Sequence, residues 1–224
     1  YERLGNGLEL FDVCDPAHPV RLSCIKFPPY YGLTFDMWDV QLAGDRAIVG
    51  NTRNGIYVVD VADPRRPALL SWARLPQLPD GSFEPIAGFD FHGDTLYLAG
   101  GETDTYLYQS DLAFEGGSAV ESSVRAGAKP MAFQLDFRIG DPMPYRRALT
   151  DRNVRFVDAY GDLLYAACSD SGVAVLDRQS LQEIARLDTG GFAYTVQRKG
   201  AYVFVAACQA GLLVYRQEAG AHLP

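Results

Sequence analysis

The chain has 224 residues, 48% of them hydrophobic and 21% charged, which is enough apolar content for a continuous core and too much for a disordered segment. Its formal net charge is −8 and its longest basic clusters are the pairs Arg65-Arg66 and Arg146-Arg147, so nucleic acid and anionic membrane surfaces are excluded as expected partners. No apolar run approaches the length of about 18 residues that a spanning helix needs, and no membrane span is expected in this segment.

The first element opens on a glycine, Gly7-Leu8-Glu9-Leu10-Phe11-Asp12, and leaves through Asp15-Pro16-Ala17-His18-Pro19. Proline cannot donate to a ladder, so pairing stops there and the chain returns as an outer strand, Val20 to Phe27. A full unit follows. Trp38-Asp39-Val40-Gln41-Leu42-Ala43 is predicted as an inner strand, and Gly44-Asp45 supplies the positive φ of a tight hairpin. Ala47-Ile48-Val49 is the second strand and Gly55-Ile56-Tyr57-Val58-Val59-Asp60 the third, entered through the turn dipeptide Asn54-Gly55. Asp63-Pro64-Arg65-Arg66-Pro67 then leads to an outer strand, Ala68 to Leu75.

The same order recurs. Gly88 to Asp94, Leu96 to Ala99 and Thr105 to Asp111 read as inner, second and third strands. After them the stretch from Leu112 to Asp151 is irregular, and it holds either an inserted hairpin or a degenerate extra unit around Phe133 to Phe137. Phe156 to Asp162, Leu164 to Ala167 and Gly172 to Asp177 repeat the pattern, and Thr195 to Ala201, Tyr202 to Ala206 and Gly211 to Tyr215 repeat it again.

The second and third strands are apolar on both faces, so each small sheet needs a cover on both sides, which a β-sandwich does not provide. Units of this kind bury their faces by stacking on copies of themselves. The predicted fold is therefore all-β, a β-propeller of four-stranded antiparallel blades, either closed or an incomplete ring, with about five blades represented. One domain or arc over 1–224 is expected: a partial blade at 1–29, blades at about 33–78, 84–145 and 152–188, and final strands at 192–217. The chain opens and closes on a third strand and begins without Met, so N-terminal truncation is expected, with a closing strand and any leader lying upstream.

The stretches Gly7-Leu8-Glu9-Leu10-Phe11-Asp12-Val13-Cys14-Asp15-Pro16-Ala17-His18-Pro19 and Gly55-Ile56-Tyr57-Val58-Val59-Asp60-Val61-Ala62-Asp63-Pro64-Arg65-Arg66-Pro67 resemble the LVIVD repeat. The copies at Gly172 and Gly211 keep the apolar strand but lack the Asp-Pro exit. The resemblance implies a β-propeller of bacterial or archaeal cell-surface type and an extracytoplasmic location. It transfers no catalytic residue, because the motif consists of strand and turn positions.

Chemistry is sparse. The three histidines, His18, His92 and His222, form no triad spacing, and no GxSxG, Walker or HExxH motif occurs. The four cysteines lack CxxC spacing; Cys168 and Cys208 follow Ala-Ala in two copies and read as repeated buried thiols, with a Cys14 to Cys24 bridge as a minor alternative. No cofactor and no catalytic residue are expected. The expected ligand face is that of the second-to-third strand turns and the crossings between blades. It would carry Tyr30, Tyr31, Asp36, Trp38, Asn51, Arg53, Glu84, Glu102 and Asp104, then Tyr145, Arg146, Arg147, Arg152, Asn153, Arg155 and Asp170. The binding candidates singled out are Tyr31, Asp36, Arg53, Glu84, Glu102, Tyr145, Arg147, Arg152 and Arg155, the last group suiting a carboxylate-bearing partner through guanidinium forks. Competing structural roles are that Trp38 packs between blades, Asp90 and Asp158 bond turn amides, and the arginines pair with acids such as Asp136 and Asp151.

Three functions follow as expectations. The first is a non-catalytic binding or scaffold domain of a larger protein that holds a protein or glycan partner. The second is a lactonase-like hydrolase with a divalent metal on Asp36, Asn51, Glu84, Glu102, Asp104 and Asp170. The third is a structural arc of an oligomer.

Overall fold

The computed structural model describes residues 7–27, 37–51, 54–73, 81, 85–92, 95–100, 107–111, 146–148 and 152–217. Among them the regular elements are β-strands, save for one 3-10 turn at Cys208–Ala210, and the fold is all-β. The chain forms two compact units, residues 1–85 with 112–143 and residues 86–111 with 144–224.

The first unit holds an antiparallel pair, β1 (Gly7–Asp12) and β2 (Val20–Lys26), and a four-stranded antiparallel sheet in chain order, β3 (Met37–Ala43), β4 (Arg46–Asn51), β5 (Gly55–Asp60) and β6 (Ala68–Ala73). The Asp-Pro exits are built alike. Asp12 Oδ1 accepts the Cys14 amide at 2.9 Å and Asp15 Oδ1 that of Ala17 at 3.1 Å; Asp60 and Asp63 repeat this with Ala62 at 2.9 Å and Arg65 at 3.0 Å. These Asx contacts stand in for ladder bonds that proline cannot make. They also hold carboxyls below their usual range: the Cys14 amide acts on Asp12, and the Arg66 guanidinium followed by the Arg65 amide act on Asp63.

Phe27, Leu8 and Ile25 cover one face of the sheet, where Tyr57 stacks on Phe27 at 4.4 Å and on Trp72 at 6.1 Å between ring centroids. Of the inner strand β3, Met37 packs against this cluster. Trp38, predicted to pack between sheets, is 40% exposed, and Val40 and Leu42 on the same face of β3 are exposed as well. The β4–β5 hairpin is fixed by Asn51 and Asn54, both buried: Asn54 Nδ2 donates to Asn51 Oδ1 at 3.0 Å, and Trp72 Nε1 donates to Asn54 O.

The second unit holds three sheets. β7 (Gly88–His92), β8 (Thr95–Ala99), β9 (Leu107–Asp111) and β10 (Arg146–Ala148) form the first; β11 (Phe156–Tyr160), β12 (Leu163–Ala167), β13 (Val173–Asp177) and β14 (Glu183–Leu187) the second; β15 (Ala193–Lys199), β16 (Tyr202–Ala207) and β17 (Gly211–Arg216) the third, which has three strands. β10 supplies the outer strand of the irregular copy, pairing with β9 through Arg147 opposite Tyr108. The stretch around Phe133 to Phe137 lies outside the described residues.

The middle sheet is buried on both faces. Val157, Leu164, Ala166, Cys168, Ala174 and Leu176 pack with Tyr97 and Ala99 of the sheet before it. Tyr165, Ala167, Val173, Val175 and Leu187 pack with Val196, Val203, Val205 and Ala207 of the sheet after it. Each such aliphatic side chain, fully buried, contributes about 1.5–3 kcal/mol of transfer free energy, so the strands are held by their neighbours on either side rather than by local propensity.

Two carboxylates stitch the inner strands together. Asp90 of β7 accepts the Ala159 amide of β11 at 2.6 Å, and Asp158 of β11 accepts the Arg198 amide of β15 at 2.6 Å. The sequence reading assigned both to turn amides; they instead bond the next sheet, because an inner strand's outward amides have no ladder partner and a carboxylate one sheet back reaches them. Burial pushes the Asp158 carboxyl up to about 6; the Arg198 amide opposes this, and the nearby Asp90 charge adds to it.

The paired thiols also need correction. Cys168 is buried, whereas Cys208 is exposed. Counted from the turn glycines Gly161 and Gly200, Cys168 corresponds to Ala207, because one more residue separates Gly200 from its Ala-Ala pair, and Cys208 falls one residue further on, in the 3-10 turn. One residue reverses the face in a strand. Cys14 and Cys24 are free, so the minor alternative of a bridge is not formed.

Candidate functional site

Apart from Trp38 and Asn51 of the first unit, the described part of the expected ligand face lies in the second unit, where crossings enter β11 and β15 and turns join β12 to β13 and β16 to β17. The β12–β13 turn is closed by the Cys168 amide donating to Gly172 O at 2.7 Å and the Ser171 amide donating to Cys168 O at 2.8 Å. Gly172 has φ +73° and its missing Cβ would lie 2.3 Å from Leu187 O, so only glycine fits. Ser169, with φ 47°, occupies the left-handed region without that excuse, and such backbone strain persists only where surroundings impose it. What imposes it here is β15: the Ala193 amide donates to Ser169 O at 2.8 Å and ties the turn to the neighbouring inner strand.

Around this tie sit two of the predicted arginines. The Arg155 amide donates to Ala167 O at 2.8 Å, which seats the residue at the mouth of β11. Its guanidinium carbon lies 5.6 Å from the centroid of Phe192 and 5.8 Å from that of Tyr194, the residues on either side of Ala193. Such cation–π contacts hold the charge in place while leaving it a charge. Asn153 Oδ1 and Ser169 Oγ are buried with no hydrogen-bond partner. Buried polar atoms left unpaired cost about 1–3 kcal/mol each, so this is a place where an incoming polar group or water restores bonds.

Arg152 is differently used. Its side chain, only 13% exposed, donates to Glu183 Oε2, and Arg186 Nε donates to Glu183 Oε1 at 2.9 Å. Burial raises the Glu183 carboxyl, but the hydrogen bonds from Arg186 and Arg152 outweigh it and hold the group below its usual value. Arg152 thus fastens the start of its sheet to the outer strand β14. Of the other predicted residues, Arg147 lies in β10, while Tyr31, Asp36, Arg53, Glu84, Glu102 and Tyr145 lie outside the described residues, as do Tyr30 and Asp104. Of the metal-ligand set, Asn51 and Asp170 are described: the Asn51 oxygen is taken by Asn54, and Asp170 is exposed. Among the described residues no three His, Cys, Asp or Glu side chains are grouped to hold a metal ion.

The opposite end of the same sheets carries a cluster that the sequence reading missed. Arg198 Nε donates to Gly200 O at 2.6 Å, and its Nη1 donates to Tyr165 Oη at 3.0 Å and to Gln217 Oε1. Tyr165 Oη donates in turn to Gln217 Oε1 at 3.0 Å, and the guanidinium carbon lies 5.2 Å from the Tyr160 ring centroid. These residues border an open cleft of about 900 Å³. One signal was present: Tyr160 stands one residue and Arg198 two residues before the turn glycines of consecutive copies, Gly161 and Gly200.

Residues 36–72, from the start of β3 into β6, match the family model of the LVIVD repeat. No curated protein matches the chain. Among solved structures, the chain is similar to the computationally designed Ika8 protein, with 12% identity over 84% of this chain and 48% of that one and a TM-score of 0.54. It is also similar to the computationally designed Ika4 protein, with 12% identity, 82% and 92% coverage and a TM-score of 0.50. Hsv2 of Kluyveromyces lactis gives 13% identity, 98% and 58% coverage and a TM-score of 0.57. These likenesses concern the fold alone, and the chain spans about half the length of the Ika8 chain and under two thirds of Hsv2.

Proposed function

We propose that this chain, which carries an LVIVD repeat over residues 36–72, is a β-propeller or an arc of one that binds rather than catalyses. In this reading it serves as a scaffold domain of a larger extracytoplasmic or cell-surface protein and holds a protein or glycan partner on its loop end. The propeller reading is supported by the last sheet. There Phe204, Ala206, Leu212 and Val214 stand where Tyr165, Ala167, Val173 and Val175 stand in the sheet before, counted from the turn glycines. Leu212 is 69% and Val214 54% exposed, on the face that in the middle sheet is buried against a neighbour. A further sheet of the same kind would cover it.

The observation that carries the binding reading is the Arg155 guanidinium held on Phe192 and Tyr194 beside the buried, unpaired Ser169 hydroxyl. A fixed cation, an exposed ring and unmet hydrogen-bonding capacity suit a carboxylate on a glycan or on a protein side chain. The test is capture of acidic glycans and acidic peptides from arrays by the chain and by Arg155→Ala and Tyr194→Ala variants. Capture that both substitutions reduce supports the reading, and capture that neither affects removes the loop end as the site. Lactone hydrolysis that requires Ca²⁺ and is lost in Asp170→Asn would overturn the non-catalytic assignment.

A further inference from the structure

We infer that the cleft at the turn end of the last two sheets is a second binding site, for a small ligand carrying a carboxylate or phosphate group. It shares no residue with the loop end, so the inference stands independently of the function proposed above.

The argument begins with what Arg198 is given. The acceptors of its guanidinium are neutral, a backbone carbonyl, a phenol and an amide oxygen, while its backbone amide goes to the Asp158 carboxylate. They fix the guanidinium through Nε and Nη1 without cancelling its charge, and among the described residues nothing accepts from Nη2. Tyr160 lies under the same group and is 44% exposed, so one ring surface borders the cleft as well. The second cation is Arg216, which lines the cleft, is exposed and has no ion-pair partner among the described residues. The residues that line the cleft carry two arginines against one carboxylate, Asp162, while the Asp158 carboxylate stands outside the lining, on the Arg198 amide, and offsets part of that charge.

That combination selects an oxyanion. Guanidinium groups match the paired oxygens of carboxylate and phosphate, and an immobilised fork loses little side-chain entropy on binding. Tyr160 adds a surface for the CH face of a sugar or another ring. The cleft, at about 900 Å³, falls within the range of small-molecule sites, roughly 300–1,000 Å³.

The test is isothermal titration of the intact chain with glucuronate, with inorganic phosphate, and with glucose as the neutral control. Saturable binding of glucuronate or phosphate is expected, weakened about tenfold or more in Arg216→Gln and retained in Arg216→Lys. Glucuronate alone identifies the group as a carboxylate on a sugar, and phosphate alone as a phosphate. Because Arg216 is exposed, thermal unfolding of Arg216→Gln should match the parent chain, which separates lost binding from lost folding. Absence of binding by both anions, equal binding of glucose, or undiminished binding by Arg216→Gln would overturn the site.

Discussion

The two ends of the second unit's sheets each hold arginines, and they use them in opposite ways. At the loop end Arg152 and Arg186 converge on one carboxylate, Glu183, and their charge is spent on fastening strands. At the turn end the Arg198 guanidinium is held by neutral oxygens, and the nearby Asp158 carboxylate takes its backbone amide rather than the guanidinium itself. What separates the two ends is the charge of the group that each guanidinium meets, a carboxylate at one and neutral oxygens at the other.

Removing Tyr165 should do most to break this contrast. Its side chain is fully buried between sheets and its phenol braces Arg198, so Tyr165→Ala should cost about 3–5 kcal/mol in denaturant unfolding. Tyr165→Phe should keep most of that stability and lose only the brace. Arg152→Ala comes next, with an expected loss of about 2 kcal/mol, below the full price of a broken buried pair because Arg186 still neutralises Glu183. A loss as large as that of Tyr165→Ala would mean that the loop end, not the sheet interior, governs unfolding.

Asp158→Asn sharpens the comparison through pH. In the unfolded chain this carboxyl ionises near 3.8 and in the folded chain near 6, so below the first value it carries no penalty, and between the two the folded state progressively loses stability as pH rises. An asparagine keeps an oxygen acceptor for the Arg198 amide and removes the titration. The variant's melting temperature relative to the parent should therefore be lowest in acid, rise from about pH 4 to about pH 6 and stay level above; a difference that does not change with pH would sink the assignment. The smallest effect belongs to Arg216→Gln, which should change unfolding free energy by less than about 0.5 kcal/mol, as surface substitutions do.

Much of the architecture was legible. The Gly-led apolar strand and the turn glycines Gly44, Gly161 and Gly200 marked hairpins that the structure forms, since strand and tight-turn chemistry act over a few residues. The Asp-Pro exits were legible for the same reason. Less of the site was. Arg152 and Arg155 stand three positions apart, and nothing local distinguishes the one that meets Glu183 from the one that meets Phe192 and Tyr194. Their partners lie on β14 and at the entrance to β15, so the distinction exists only after sheets have stacked. Cys208 failed for a different reason, one the sequence held: the Ala-Ala-Cys triplet repeats, but it stands one residue further from Gly200 than from Gly161, and one residue reverses the face in a strand.

Sequence alone determined that the chain repeats a short antiparallel sheet and that its second and third strands need cover on both sides, because alternation, glycine and proline act within one strand or turn. Stacking decided the rest. Which carboxylate bonds which amide and which guanidinium meets a carboxylate depend on side chains from separate strands and sheets coming together, and no single segment encodes that meeting.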